Sequence, residues 1–357
     1  MSQPGPYILH GADVSYFSGK VRPAFPQKSL WVREVLPDIP AIVRRTGLHY
    51  FPVVESPEGE LWQDTSEILD RLEARHPDPP LYPATPVQRM VTHLVELYGD
   101  EIALLPAMHY RWSFEESVRK VSVDFSTPGG EEGSGAKFAR RMAGTLPVLG
   151  ITPETIPAIE AHTRALLDAL SAHFRNHRYL LGDAMSLADC ALMGPLYGHL
   201  FRDAVPERLL YETAFPVCSW IERMNRPPQD QSGWLCDDGL AETLLPVLGV
   251  MAEGVPMVIA AVEAIDAWAG ANATAQAPPP AAVGRAEAPY RDSTLQAAAR
   301  PYTLWMVQRS LDVLGALSED ERAEVERALA GTGWEPLLSV SPRHRLGKRG
   351  YQLAWSS

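Results

Sequence analysis

Residues Tyr50 to Pro77, YFPVVESPEGELWQDTSEILDRLEARHP, read as strand, turn, strand and helix. The SPEGE turn is short enough to join FPVV and ELWQ as an antiparallel hairpin. In the helix that follows, Ile68, Leu69 and Leu72 share one face and Glu67 and Asp70 lie early, while Arg75, His76 and Pro77 close the end. Thr65 is the predicted N-cap. A helix start presents unpaired N–H groups and the positive end of the helix dipole, so a small carboxylate can bind there, with the Thr65 hydroxyl as a second donor. Asp64 beside it is suited to an ammonium. A group carrying both an α-carboxylate and an α-ammonium, such as a γ-glutamyl group, therefore fits this corner. If the Phe51–Pro52 bond is cis, the backbone N–H and C=O of Phe51 are left free to pair with an extended peptide, as a sheet edge would.

Working outward, YILHG (Tyr7 to Gly11) is a short apolar strand, and SGKVRPAF starts as a helix. WVREVL alternates as a strand, and IPAIVRRTG is a helix closed by Gly47. The order up to about residue 82 is β-α-β-α-β-β-α. From about Pro86 strand signals give way to helical periodicity, as in QRMVTHLVELYGDEIALL and IPAIEAHTRALLDALSAHF, so everything beyond is expected to be helical. The loop STPGGEEGSGAK interrupts it. The Pro/Ala-rich stretch Ala273 to Pro289 is expected to be an ordered crossing or a flexible linker.

The bounds are those of a globular protein of two or three domains: 357 residues, 46% hydrophobic and 21% charged. A net charge of -12 argues against a broad nucleic-acid footprint. The one basic patch, RHRLGKRG (Arg343 to Gly350), reads as a tail that is solvated or docks on its own body. The apolar stretch Leu244 to Trp268 contains Glu253, Glu263 and Asp266, each costing about 2.5–3.5 kcal/mol at mid-bilayer, and it is read as buried helices rather than a membrane span. Cys190, Cys218 and Cys236 fit neither a disulfide framework nor a zinc site, and MSQPGPYILHG lacks the features of a signal peptide, so a cytoplasmic location is expected.

GEEGSGAK (Gly130 to Lys137) misses a phosphate-binding loop, because Ala136 stands where lysine is needed. His173 and His177, one turn apart, lack a third metal ligand and are read as solvated histidines. In MSLADC, Ser186 and Asp189 form a capping box with a Met185–Cys190 staple. Asn272 begins a sequon without meaning in a chain that is not secreted.

The Tyr50–Pro77 stretch resembles the glutathione-binding half of the cytosolic glutathione S-transferases, with a cis-proline Val-Pro strand, a turn, and Glu-Ser opening a helix. Phe51 and Pro52 match the Val-Pro pair, and Asp64 and Thr65 match Glu-Ser. Carboxylate replaces carboxylate and hydroxyl replaces hydroxyl. SYFSGKVR (Ser15 to Arg22) resembles the loop between the family's first strand and first helix in bacterial members, with Tyr16 in place of the usual proline. RYLLGDAMSLADCALMGPLY (Arg178 to Tyr197) resembles the family's helical-domain signature, and FPVCSWIERMNRPP its late helix. Together these span roughly residues 7 to 228.

The resemblance implies a thioredoxin-like α+β domain (1–82) and an all-α transferase domain (86–228), followed here by an additional helical extension (229–357). It implies glutathione as cosubstrate, held by Phe51, Pro52, Asp64 and Thr65, and a thiolate that attacks a small hydrophobic electrophile in a detoxification-type reaction. It also implies a homodimer, unless the extension covers the interface. Ser15 takes the place of the family's catalytic Ser or Cys, which makes the site serine-type; Ser18 is the second choice and Tyr16 the third. Pro23 and Pro26 fall where the first helix should continue, so that helix is expected to be kinked or short. The rival readings are a non-catalytic relative that binds a protein partner, and a glutathione-dependent lyase, dehalogenase or isomerase.

Overall fold

A computed structural model describes residues 5–125, 133–228, 230–272 and 274–356. The first domain holds β1 (Tyr7–His10), α1 (Tyr16–Val21), α2 (Ala24–Gln27), β2 (Val32–Val35), α3 (Ile39–Thr46), β3 (Val53–Glu55), β4 (Leu61–Gln63) and α4 (Thr65–Arg75). The sheet order is β2-β1-β3-β4, with β1 parallel to β2 and antiparallel to β3. The expected hairpin forms, with Val53 opposite Gln63 and Glu55 opposite Leu61. The expected first helix is cut in two. Proline supplies no N–H and clashes with the preceding turn, so α1 ends at Val21 and Pro23 caps a separate α2.

The helical domain runs through α5 (Pro86–Leu97), α6 (Leu104–Trp112), α7 (Glu115–Asp124), α8 (Ser134–Ala143), α9 (Ile156–Phe174), α10 (Leu187–Met193), α11 (Ala204–Thr213) and α12 (Phe215–Asn225). Two π-helical turns, Tyr98–Ile102 and Gly194–Phe201, continue α5 and α10. The second lets α1 come close: a Cβ on Gly198 would lie 3.0 Å from the Ser15 carbonyl oxygen. The Ser186–Asp189 capping box is present, and Met185 Sδ lies 3.9 Å from Cys190 Sγ. Of GEEGSGAK, residues 130–132 lie outside the described residues, and α8 starts at Ser134. His173 is not solvated as expected. It is buried between Thr243 Oγ1 (3.0 Å) and the Tyr179 carbonyl oxygen (3.2 Å), and burial pulls its pKa down to about 4.

The extension comprises α13 (Leu244–Met251), α14 (Val255–Asn272), β5 (Arg285–Tyr290), β6 (Ser293–Ala298), α15 (Pro301–Gly315), α16 (Glu319–Leu329), α17 (Glu335–Leu338), β7 (Leu346–Arg349) and β8 (Gln352–Trp355). The all-helical expectation is therefore corrected by two antiparallel hairpins, β5–β6 and β7–β8. In β5 the buried positions Ala286, Ala288 and Tyr290 alternate with exposed ones, but alanine and proline are poor strand formers and masked the period of two. In the Pro/Ala-rich stretch, Gln276 N and Ala277 O bond to the backbone of Trp355, so its described part is an ordered crossing.

Leu244–Asn272 is the one helical stretch among the described residues long and apolar enough to cross a membrane, and half of its most apolar window is buried. A 3-10 turn at Ala252–Gly254 interrupts it, and it packs on α9 and α15. The basic patch docks on its own body, with Arg343 and His344 on Asp266 and Arg345 on Asp312.

Candidate active site

A cavity of about 660 Å³ opens where the first domain meets the extension. Phe17, Tyr50, Phe51, Pro52, Asp64 and Thr65 form one wall; Pro279, Arg300, Tyr302, Lys348 and Tyr351 form the other. Among the described residues, its lining falls entirely within 17–65 and 278–353. No described side chain of the helical domain contributes.

The Phe51–Pro52 bond is cis, and Phe51 lies just outside the β-ladder that starts at Val53. The cap of α4 is Asp64, not Thr65. Asp64 Oδ1 accepts from the N–H groups of Ser66 (3.1 Å) and Glu67 (3.4 Å), and Thr65 becomes the first helical residue. Asp64 sits at φ 80°, a conformation that costs a non-glycine residue about 1–3 kcal/mol and is retained where the surroundings enforce it. That turn brings its carboxylate and Thr65 to the same cavity. Thr65 is buried, and as the first residue of the helix its N–H has no intrahelical acceptor.

The second oxygen of Asp64 is engaged as well. Asp64 Oδ2 accepts from Lys348 Nζ at 2.9 Å and from the Tyr302 hydroxyl at 3.1 Å. The ammonium suited to Asp64 is thus supplied by the chain itself, from the basic patch.

Ser15, Ser18 and Tyr16 lie together at the start of α1, but none lines the cavity; their neighbour Phe17 does. Ser15 is the N-cap of α1, its Oγ accepting from Ser18 N at 3.2 Å. Ser18 is fully buried and accepts from Ala12 N at 3.3 Å. Tyr16 is buried and donates to the Gly99 carbonyl oxygen; burial holds its phenol pKa well above the usual range.

Sequence reasoning missed Gln63, Arg300, Tyr302, Lys348 and Tyr351. Gln63 donates to the Tyr50 carbonyl oxygen at 2.6 Å, and its own Oε1 is buried without a partner. Only Lys348 had a signal, the basic patch around it.

Beneath the cavity lies a buried ionic network. Lys20 Nζ on α1 donates to Asp100 (2.6 Å), Glu96 (2.9 Å) and Ser66 Oγ (3.0 Å). Arg309 on α15 pairs with Asp70 (2.8 Å) and Glu96 (3.3 Å). These contacts tie α1, α4, α5 and the extension into one support for the α4 start.

A thioredoxin-like domain followed by a helical domain is the architecture here, and in the first domain a cis-proline strand and a helix N-terminus meet on one cavity wall. Two parts of the chain match the glutathione S-transferase family: residues 9–80 its N-terminal domain and residues 152–228 its C-terminal domain. The chain is a glutathione S-transferase-like enzyme. Neither match extends into the region beyond residue 228.

Among solved structures, it is similar to a glutathione S-transferase from Methylobacterium radiotolerans in complex with glutathione sulfonate, at 22% identity over 63% of this chain and 92% of that one, TM-score 0.39. It is also similar to the beta-etherase LigF from Sphingobium sp. strain SYK-6 (16% identity, 63% of this chain, 96% of that one, TM-score 0.44). FzlA from C. crescentus is a third (17% identity, 68% and 92% covered, TM-score 0.43). No curated protein sequence matches the chain.

Proposed function

We propose that the chain binds glutathione in the 660 Å³ cavity and uses its thiolate against a small apolar electrophile. The observation that carries this reading is the convergence of Phe51, Asp64 and Thr65 on one cavity at the N-terminus of α4. The γ-glutamyl carboxylate lies at the first turn of α4, with the Thr65 hydroxyl as donor, and the peptide runs along Phe51. Thr65→Val is expected to weaken glutathione binding by about 1–3 kcal/mol, read by titration calorimetry. Affinity equal to the native protein's would move the carboxylate elsewhere.

Activation of the thiol is assigned to the loop at the start of α1. Each unit of thiol pKa lowering needs about 1.4 kcal/mol of differential stabilisation. Ser15 is the preferred donor, because its oxygen accepts from Ser18 N and its proton is left to donate, whereas Tyr16 commits its proton to Gly99. Ser15→Ala is expected to lower turnover with a model electrophile about 10- to 100-fold at nearly constant KM for glutathione. Unchanged turnover would take the role away from Ser15.

The engagement of Asp64 by Lys348 and Tyr302 favours a second reading, in which the site binds without catalysing. Thiol titration of bound glutathione separates the two, since an unshifted thiol belongs to a binding module. Conjugation, ether cleavage, dehalogenation and isomerisation are distinguished by a substrate screen. A reducing cytoplasm suits three free cysteines. A homodimer would have to form away from α5, which α15 and α16 cover.

A further inference from the structure

Lys348 lies on the terminal hairpin, 284 residues from Asp64 in sequence, and reaches into the cavity wall. Its Nζ lies 2.9 Å from Asp64 Oδ2, 3.9 Å from Glu67 Oε1 and 5.5 Å from the centre of the Trp305 ring. The Lys348 and Asp64 side chains are only 13% and 10% exposed, so water screens this pair weakly.

The hairpin that carries Lys348 is part of the body of the protein. Leu346 exchanges two hydrogen bonds with the Gln308 side chain, both 2.9 Å. Trp355 is buried, stacks on Trp268 and bonds to the backbone at Gln276 and Ala277. Tyr351 donates to the Leu61 carbonyl oxygen at 3.2 Å, which fixes the hairpin to β4. Withdrawing Lys348 by moving the hairpin would break all of these contacts. Lys348 is therefore a built-in wall of the site.

This changes what the corner can read. The carboxylate of a γ-glutamyl group still finds the first turn of α4, and the charged residues lining the cavity are two cations, Arg300 and Lys348, against one anion, Asp64. The α-ammonium, in contrast, meets an Asp64 oxygen that already accepts from an ammonium and a phenol. A second ammonium there would face like-charge repulsion or would have to displace the first.

Resting on the glutathione reading above, we propose that Lys348 fills the ammonium position of the γ-glutamyl subsite. The site then recognises the acyl-terminal carboxylate of a thiol peptide and gains nothing from its α-amino group. Its ligand class includes deaminated or N-blocked γ-acyl thiol peptides alongside glutathione.

The test is calorimetric titration of the full chain with glutathione and with its deaminated analogue, glutaryl-cysteinyl-glycine. The native protein is expected to bind the two within about threefold of each other. Lys348→Met, which frees Asp64, is expected to favour glutathione by about tenfold or more, and Lys348→Arg, which keeps the charge, to behave as the native protein does. If Lys348→Met is too unstable to titrate, Lys348→Gln removes the charge and keeps a hydrogen bond, with the same preference expected. A native protein that already prefers glutathione tenfold, or variants that show no change in preference, would overturn the inference and leave the glutathione reading standing. Binding of neither peptide to any of these proteins would overturn the glutathione reading, and this one with it.

Discussion

Lys20→Met is expected to cost about 3–5 kcal/mol of folding stability, because it removes the single ammonium between two buried carboxylates. Lys20 is fully buried, with Asp100 at 2.6 Å and Glu96 at 2.9 Å. Burial works against its charge, but the two carboxylates more than offset this and raise its pKa. Burial likewise opposes ionisation of Glu96, yet Lys20 and Arg309 hold it well below the usual carboxylate range. Asp100 is the weak member. Burial pushes its carboxyl up to about 7 even with Lys20 pulling it down, and its Oδ1 is buried without a partner.

Without Lys20, Asp100 has to stay protonated to remain buried. A carboxyl whose folded pKa lies above its unfolded value of about 3.9 stabilises the fold at low pH, and that contribution is lost as pH rises through the folded pKa. The variant is therefore expected to lose more stability at pH 8 than at pH 5.5, measured by urea unfolding at both. Lys20→Met combined with Asp100→Asn should recover part of the loss, because the second change removes the unpaired charge. A loss below about 1 kcal/mol at pH 8 would mean that water or a rearranged Arg309 replaces the ammonium. Ser66, the residue after Thr65, donates to Glu96 at 2.6 Å and accepts from Lys20, so the same substitution also loosens the helix start proposed to hold the glutathione carboxylate.

The parts of this arrangement that were legible in the sequence are those held by local rules. The β3–β4 hairpin follows from a turn between two apolar runs, and α4 from a cap, a periodic face and a closing proline. Phe51, Asp64 and Thr65 were legible as one corner because only the β3–β4 hairpin separates them. The cap itself was misplaced by one residue, since the positive φ of Asp64 has no sequence signal outside glycine and asparagine-like preferences.

The extension was harder to read. Its β5 and β6 strands are built from residues that score poorly as strand formers, and their pairing is decided by what Ala286, Ala288 and Tyr290 bury. The Lys348–Asp64, Arg309–Glu96 and Arg300–Glu101 pairs join positions roughly 200 to 280 residues apart, and no spacing rule reaches that far. At the start of α1, a loop motif places Ser15, Tyr16 and Ser18 in the right neighbourhood. Which of them faces a ligand depends on the phase of a six-residue helix, and here that phase puts Phe17 on the cavity.

Arg111→Met is expected to destabilise the fold by a similar amount, about 3–5 kcal/mol, through a second buried ion pair that also positions this loop. Arg111 on α6 donates Nε to Asp203 Oδ2 at 2.7 Å and Nη2 to Asp203 Oδ1 at 3.1 Å, a bidentate pair. Its Nη1 donates to the Val14 carbonyl oxygen at 2.7 Å, and Nη2 also reaches the Gly198 carbonyl oxygen. Burial lowers the guanidinium pKa, with Asp203 opposing, but the group stays charged at any pH where the protein folds. Methionine of similar length would leave a buried carboxylate without its cation and two buried carbonyls without a donor. Arg111→Lys keeps the charge but not the planar fork, and one ammonium cannot reproduce the guanidinium's contacts with Asp203, Val14 and Gly198. It is therefore expected to recover only part of the loss. Urea unfolding of the two variants beside the native protein gives both numbers. If lysine restores full stability, the charge alone matters and the carbonyl contacts do not. If it does not, the Val14 carbonyl is a true anchor, and because Ser15 follows it directly, the fork of Arg111 sets where the start of α1 stands against the cavity.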